Sequence, residues 1–98
     1  AVARVRAAAP GASCLLVGPL ASVRRYAARM RAVTEVQRRI APELGCAFWD
    51  SSRTSGGPGT LHRWFRFPGM VSGDRLHLGR VGYERVGREF VMALLRDL

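Results

Sequence analysis

SCLLVGP at residues 13–19 is a short apolar run that a Gly-Pro pair ends, and it provides the first element of the fold. A continuous apolar run of this length is typical of a strand that is buried on both faces of a sheet. CAFWD at residues 46–50 repeats the pattern and ends at an aspartate. The sequence therefore predicts two buried strands, over 13–17 and 46–49.

The segment between the two runs has the periodicity of a helix. From about Arg24 to Leu44 its apolar residues recur at steps of three and four, and most of its arginines lie off that stripe. We expect this helix to end at Gly45, because glycine is common just beyond a helix end. Strand, helix and strand in this order predict a parallel crossover with helices covering the sheet.

Further helices are predicted on both sides of this unit. Residues 3–9 are expected to be helical, and the last helix is expected to run from about Val81 to Leu98. Six apolar residues share one face of that last helix: Tyr83, Val86, Phe90, Val91, Leu94 and Leu98. Between the second strand and this helix we expect a loop over 51–60 and a mixed segment with one short helix.

Length and composition restrict the class of protein. The 98 residues allow one domain, and a hydrophobic content of 48% is ordinary for a globular chain. No apolar run approaches the roughly 20 residues that a membrane-spanning helix needs. Residues 1–9 resemble an arginine-bearing helix and not a signal peptide. We therefore expect the chain to begin inside a larger protein.

The formal net charge is +9, and all sixteen basic residues are arginine. Such a balance can indicate a surface that binds nucleic acid or another polyanion. It can equally reflect solvated arginines with no ligand. The arginines are spread from Arg4 to Arg96, which favours the second interpretation and predicts no nucleic-acid partner. A basic binding module remains the alternative function class.

The two cysteines and the isolated histidine carry no recognisable site. Cys14 and Cys46 stand in apolar runs, outside any Cys-x-x-Cys or Cys/His metal spacing, and are expected to be buried thiols. His62 lies beside Arg63 and is expected to be a surface residue. The sequence predicts neither a metal nor a cofactor.

The most informative short pattern is the acid Asp74 three residues before His77. If residues 74–77 form a turn, their ends come within about 7 Å, so the carboxylate could accept a hydrogen bond from Nδ1 of the imidazole. That bond would leave Nε2 as a base. The alternative is that Asp74 only caps a turn and that His77 is a half-exposed loop residue.

The surroundings of this pattern resemble the C-terminal part of an SGNH/GDSL-type esterase domain, in particular its peptidoglycan O-acetylesterase-like branch. The resemblance lies in FWD at 48–50, GGPG at 56–59, Trp64, the Asp74 to His77 spacing and GY at 82–83, and LLVGP at 15–19 extends it. It implies a three-layer α/β/α, flavodoxin-like fold with parallel strands, of which residues 1–98 are the C-terminal portion.

The resemblance also implies an activity, namely ester hydrolysis through a serine nucleophile, with Asp74 and His77 as the other two catalytic residues. No serine in this chain has a Gly-Asp-Ser context. We therefore expect the nucleophile and the oxyanion-hole residues in a missing N-terminal half of the same domain. The expected substrate is a small-molecule or polysaccharide-linked ester whose acyl group and alcohol these residues do not specify.

The glycine loop and Trp64 are weaker candidates for substrate binding. GGPGT at 56–60 has no lysine and no helix start of the phosphate-loop kind, which excludes nucleotide binding. Gly56 and Gly57 could border the substrate pocket or belong to a plain loop. Trp64 could form a pocket wall or, as is commoner for indoles, part of the core. Asp50 could cap a turn or hold the glycine loop.

The last expectations concern the behaviour of residues 1–98 by themselves and the location of the protein. A parallel sheet of only two strands exposes an unpaired edge and an apolar face, so we expect residues 1–98 by themselves to fold poorly and to be inactive. The resemblance is compatible with a periplasmic or secreted protein, but the sequence itself assigns no compartment.

Overall fold

The computed structural model describes residues 1–20, 25–56, 59–74 and 77–97. Its elements, in chain order, are helix α1 (Val2–Ala8), strand β1 (Leu15–Val17), helix α2 (Ala27–Glu43), strand β2 (Ala47–Trp49), a 3₁₀ helix (Ser51–Gly56), helix α3 (Thr60–Trp64) and helix α4 (Arg80–Asp97). No helix in these ranges is both long and apolar enough to cross a membrane.

The two strands pair in parallel, as the sequence predicts. Leu15 lies opposite Ala47, and Val17 lies opposite Trp49. Helix α2 connects the strands and contacts both of them. Within the described ranges the sheet has only these two strands, so the predicted α/β class with parallel strands is confirmed as a partial sheet.

The end of α2 follows from its last residues. Pro42 stands in the final turn, and Gly45 has a φ of +66°, a backbone conformation that glycine adopts without a steric penalty. The backbone N–H of Gly45 donates to the carbonyl of Pro42, and that of Cys46 donates to the carbonyl of Ala41. The chain therefore reverses at the predicted glycine and enters β2 directly.

Cys14 and Cys46 are joined by a disulfide, so the expectation of two buried free thiols is wrong. Each cysteine immediately precedes the first residue of a strand, and those first residues are partners in the parallel register. Neighbouring strands lie about 4.8 Å apart, which brings the two cysteines within bonding distance. Their Cα atoms are 4.7 Å apart.

The described core is small and lies between α3 and the start of α4. Leu61, Trp64 and Leu78 form its buried cluster, and four half-buried residues pack around it: Leu20, Met70, Val71 and Val86. A second contact joins the sheet to α4, where the rings of Trp49 and Phe90 lie 4.9 Å apart at 54°. The core therefore packs the segment before α4 against α3, and the ring contact joins α4 itself to the carboxyl end of β2.

Large apolar side chains of both long helices stay exposed. On α2 the buried residues are Thr34 and Ala41, whereas Val36 of the predicted apolar stripe is 45% exposed. On α4 Val91 is 50% exposed. The predicted apolar faces exist, but a sheet of two short strands is too narrow to cover them.

Candidate active site

Residues 70–72 and 77–79 are hydrogen-bonded to each other on either side of the predicted turn. We call this pair of segments the clamp. Val71 and Leu78 form an antiparallel bridge. The backbone N–H of Ser72 donates to the carbonyl of His77 at 2.9 Å, and that of Gly79 donates to the carbonyl of Met70 at 3.0 Å. Since Leu78 is buried in the core cluster, the clamp fixes the position of the adjacent His77.

Two glycines allow this clamp to lie against the start of α4. A Cβ on Gly79 would collide with the carbonyl of Gly69, and one on Gly82 would collide with the carbonyl of Met70. Gly69 itself has a φ of +76°, which favours glycine. The close approach of two backbone segments therefore explains the glycine of the Gly-Tyr pair at 82–83.

Asp74 and His77 are hydrogen-bonded within this turn. Nδ1 of His77 lies 2.6 Å from Oδ2 of Asp74, and the backbone N–H of His77 donates to Oδ1 at 2.9 Å. An ionised carboxylate only accepts hydrogen bonds, so it selects the imidazole tautomer with the proton on Nδ1. The side chain of His77 is 67% exposed and that of Asp74 is 50% exposed, which leaves Nε2 of His77 accessible as a proton acceptor.

Ser72 also contacts this pair, which sequence reasoning missed. Its hydroxyl lies 2.7 Å from Oδ1 of Asp74 and 3.0 Å from the carbonyl oxygen of His77. The only sequence signal was a polar residue two positions before the acid. Such a residue is too common in turns to be singled out.

The hydroxyl groups of Ser51 and Ser52 are hydrogen-bonded to residues outside this turn. Ser51 is buried and donates to the carbonyl of Gly18, and Ser52 donates to Asp50. Ser72 faces the carboxylate of Asp74. Among the described residues, no serine or cysteine is hydrogen-bonded to Nε2 of His77.

Asp50 follows β2 and holds the start of the 3₁₀ helix. Its Oδ1 accepts hydrogen bonds from the backbone N–H and hydroxyl of Ser52, and its Oδ2 lies 2.7 Å from Arg38 of α2. Burial raises the pKa of Asp50, but the hydrogen bonds from Ser52 and Arg38 outweigh it and place the pKa below the ordinary value. Asp50 therefore caps a turn, one of its two predicted roles.

The sequence offered three weaker candidates for substrate binding, Gly56, Gly57 and Trp64. Trp64 is buried in the core cluster, beside a cavity of about 10 Å³ that has room for about one water molecule. Gly56 is the last residue of the 3₁₀ helix, where the sequence predicted a loop. Gly57 lies outside the described residues. A substrate contact by any of the three stays a prediction.

An apolar groove, which sequence reasoning did not predict, lies where the carboxyl ends of the strands meet α4. It has a volume of about 240 Å³, and its lining includes Val17, Trp49, Tyr83 and Phe90. Val17 and Tyr83 are about half exposed. The two strand-end residues were visible in the sequence, but their meeting with α4 depends on the tertiary fold.

The parallel strands and the helix that connects them have the architecture of part of an SGNH hydrolase fold. The structure is a partial α/β SGNH hydrolase fold, and the predicted resemblance to this class is confirmed at the level of structure.

Two solved structures are similar to this chain. A peptidoglycan O-acetylesterase aligns with a TM-score of 0.83 and 25% identity, over 95% of this chain and 28% of that chain. The esterase domain of the ORF1 protein from the zebrafish ZfL2-1 retrotransposon aligns with a TM-score of 0.64 and 23% identity, over 99% of this chain and 54% of that chain. No family model and no curated protein matches the sequence.

The metal-binding potential of the described residues is low. No group of three or more His, Cys, Asp or Glu side chains in the described ranges is arranged to hold a metal ion.

Proposed function

We propose that this chain supplies the aspartate and histidine of a serine-dependent ester hydrolase of the SGNH type. The observation that supports this most directly is the 2.6 Å contact between Nδ1 of His77 and Oδ2 of Asp74 on an exposed turn. The similarity to two esterase structures adds to it. In this proposal residues 1–98 are the C-terminal part of a single domain.

The proposed mechanism assigns one proton path to His77. Nε2 takes the proton of the serine hydroxyl as the serine oxygen attacks the ester carbonyl, and it then gives that proton to the departing alcohol. In the second half, Nε2 takes a proton from water as the water oxygen attacks the acyl carbon. Nε2 then returns that proton to the departing serine oxygen, which releases the acid and restores the serine hydroxyl. Asp74 orients the ring throughout and stabilises the imidazolium.

The nucleophile in this proposal belongs to a serine-bearing part of the same domain, outside residues 1–98. The alignment supports this, since the chain spans 28% of the peptidoglycan O-acetylesterase chain. Within the part of the chain that the structure describes, no further strand pairs with either outer edge of the sheet, and the apolar groove beside Val17 and Phe90 is open. A neighbouring strand and its flanking elements from the serine-bearing part would cover these surfaces.

The proposed substrate is an ester of a small molecule or a polysaccharide. The contacts of the described arginines lend no support to the alternative of a polyanion-binding module. Five arginines in the described ranges form ion pairs with carboxylates: Arg38, Arg53, Arg80, Arg85 and Arg96. Salt-dependent DNA binding in the absence of ester turnover would favour the alternative instead.

The decisive experiment is the turnover of p-nitrophenyl acetate by the intact protein, meaning these residues together with the serine-bearing part. His77→Ala should lower kcat by about a hundredfold to ten-thousandfold, the usual effect of losing a general base. His62→Ala is the matched control, because His62 is exposed on α3 and has no proposed role. Near-normal activity of the His77→Ala variant would refute the assignment.

A second arm tests the chain by itself. Residues 1–98 expressed alone should show no ester turnover and no cooperative melt, because their strand edges and apolar helix faces are uncovered. A cooperative melt together with esterase activity from these residues would contradict both expectations.

A further inference from the structure

The carboxylate of Asp74 is held by more than its histidine. The Ser72 hydroxyl lies 2.7 Å from Oδ1, on the oxygen that does not face Nδ1 of His77. Oδ1 also accepts the backbone N–H of His77. Donors on both oxygens therefore restrict rotation of a carboxylate whose side chain is half exposed.

The single proton of the Ser72 hydroxyl has two acceptors within reach. The carboxylate oxygen is nearer, at 2.7 Å, and carries charge, whereas the carbonyl oxygen of His77 lies at 3.0 Å. That carbonyl already accepts the backbone N–H of Ser72 at 2.9 Å. Charge-assisted hydrogen bonds are the stronger ones, so the hydroxyl donates to Asp74.

The backbone and side chain of Ser72 thus have separate roles. The backbone N–H closes the clamp around the turn, and any residue except proline can provide it. The hydroxyl takes no part in these backbone hydrogen bonds and donates to the carboxylate of Asp74. A substitution that removes the hydroxyl leaves the clamp intact.

We infer that Ser72 is a positioning residue for the proposed ester hydrolysis. Its hydroxyl fixes the plane of the Asp74 carboxylate, so that Oδ2 stays aligned with Nδ1 of His77 while the imidazole gains and loses its proton. This inference rests on the proposed function. It adds a residue that acts on the base through the acid and does not touch the substrate.

The test compares Ser72→Ala and Ser72→Thr in the intact protein with p-nitrophenyl acetate. Ser72→Ala should lower kcat by about tenfold, the scale of one hydrogen bond to a charged group, and leave KM and the melting temperature unchanged. Ser72→Thr retains the hydroxyl and should recover most of the lost kcat. Ser52→Ala is the matched control, because it removes the same type of bond from Asp50.

The outcomes separate this inference from the proposed function. Wild-type kcat in Ser72→Ala beside an inactive His77→Ala would overturn the role of Ser72 alone. A loss that Ser72→Thr does not restore, or an equal loss in Ser52→Ala, would also overturn it, because the effect would then be structural. Full activity of His77→Ala would overturn the proposed function, and the role of Ser72 with it.

Discussion

Nδ1 of His77 lies 2.6 Å from Oδ2 of Asp74, while the backbone N–H of the same histidine donates to Oδ1. One carboxylate therefore binds both the ring and the backbone of one residue. This double contact fixes the imidazole relative to its own main chain, because Nδ1 and the backbone nitrogen of His77 are both bound to the same planar carboxylate.

Asp74→Asn should lower kcat of the intact protein by about a hundredfold or more with little change in melting temperature. An amide can present an N–H to Nδ1, which would favour the tautomer with its proton on Nε2 and remove the base. The measurement is p-nitrophenyl acetate turnover. Asp97→Asn is the control, since it makes the same change in an exposed pair with Arg96. Equal kcat in the two variants would contradict the prediction.

Gly82→Ala should destabilise the intact protein by about 1–3 kcal/mol. Its Cβ would collide with the carbonyl oxygen of Met70, and a backbone atom cannot move aside as a side chain can. Gly73→Ala is the matched control, because nothing lies within 4 Å of its Cβ and the change should stay within about 0.5 kcal/mol. Urea unfolding measures both, and equal stabilities would show that the two segments do not touch.

Stability should depend on pH through Asp50. Burial is the largest single effect and raises the pKa of Asp50, but the hydrogen bonds from Ser52 and Arg38 together outweigh it. The folded pKa therefore lies below the ordinary 3.8. The contribution of Asp50 is therefore complete above the unfolded pKa and is lost as the pH falls through the folded pKa, below 3.8. The free energy of unfolding of wild type minus that of Asp50→Asn should shrink between pH 6 and about pH 3. A constant difference would refute this.

Reduction of the Cys14–Cys46 disulfide should lower the free energy of unfolding of the intact protein by about 3–4 kcal/mol, the chain-entropy value for the sequence separation of 32 residues that it closes. Urea unfolding with and without dithiothreitol measures the effect. The double variant Cys14→Ser and Cys46→Ser is the control, and it should not respond to the reductant. An unchanged wild type under reductant would contradict the bond.

Local sequence patterns predicted the elements well. The apolar runs became β1 and β2, the periodic segment became α2, and Gly45 ended it. The Asp-x-x-His spacing predicted the hydrogen-bonded turn, because four consecutive residues fix the distance between its ends. These features depend on interactions between residues close in the chain.

Patterns alone failed where distant segments meet. The sequence showed two cysteines in apolar runs, but only the parallel register placed them side by side. The 3₁₀ helix replaced part of the predicted loop because Asp50 caps its start and also binds Arg38, which is twelve residues away. The burial of Trp64 depended in the same way on its packing against Leu78.

The sequence by itself therefore determined the order of strands and helices and the pairing of Asp74 with His77, because periodicity and short spacing are local properties of a chain. Only the tertiary structure decided which residues hold that pair in place. Ser72 reaches the carboxylate because a clamp of backbone hydrogen bonds, anchored by Leu78 in the core, closes the turn around it. Such contacts depend on the packing of α3 and α4, which no short pattern encodes.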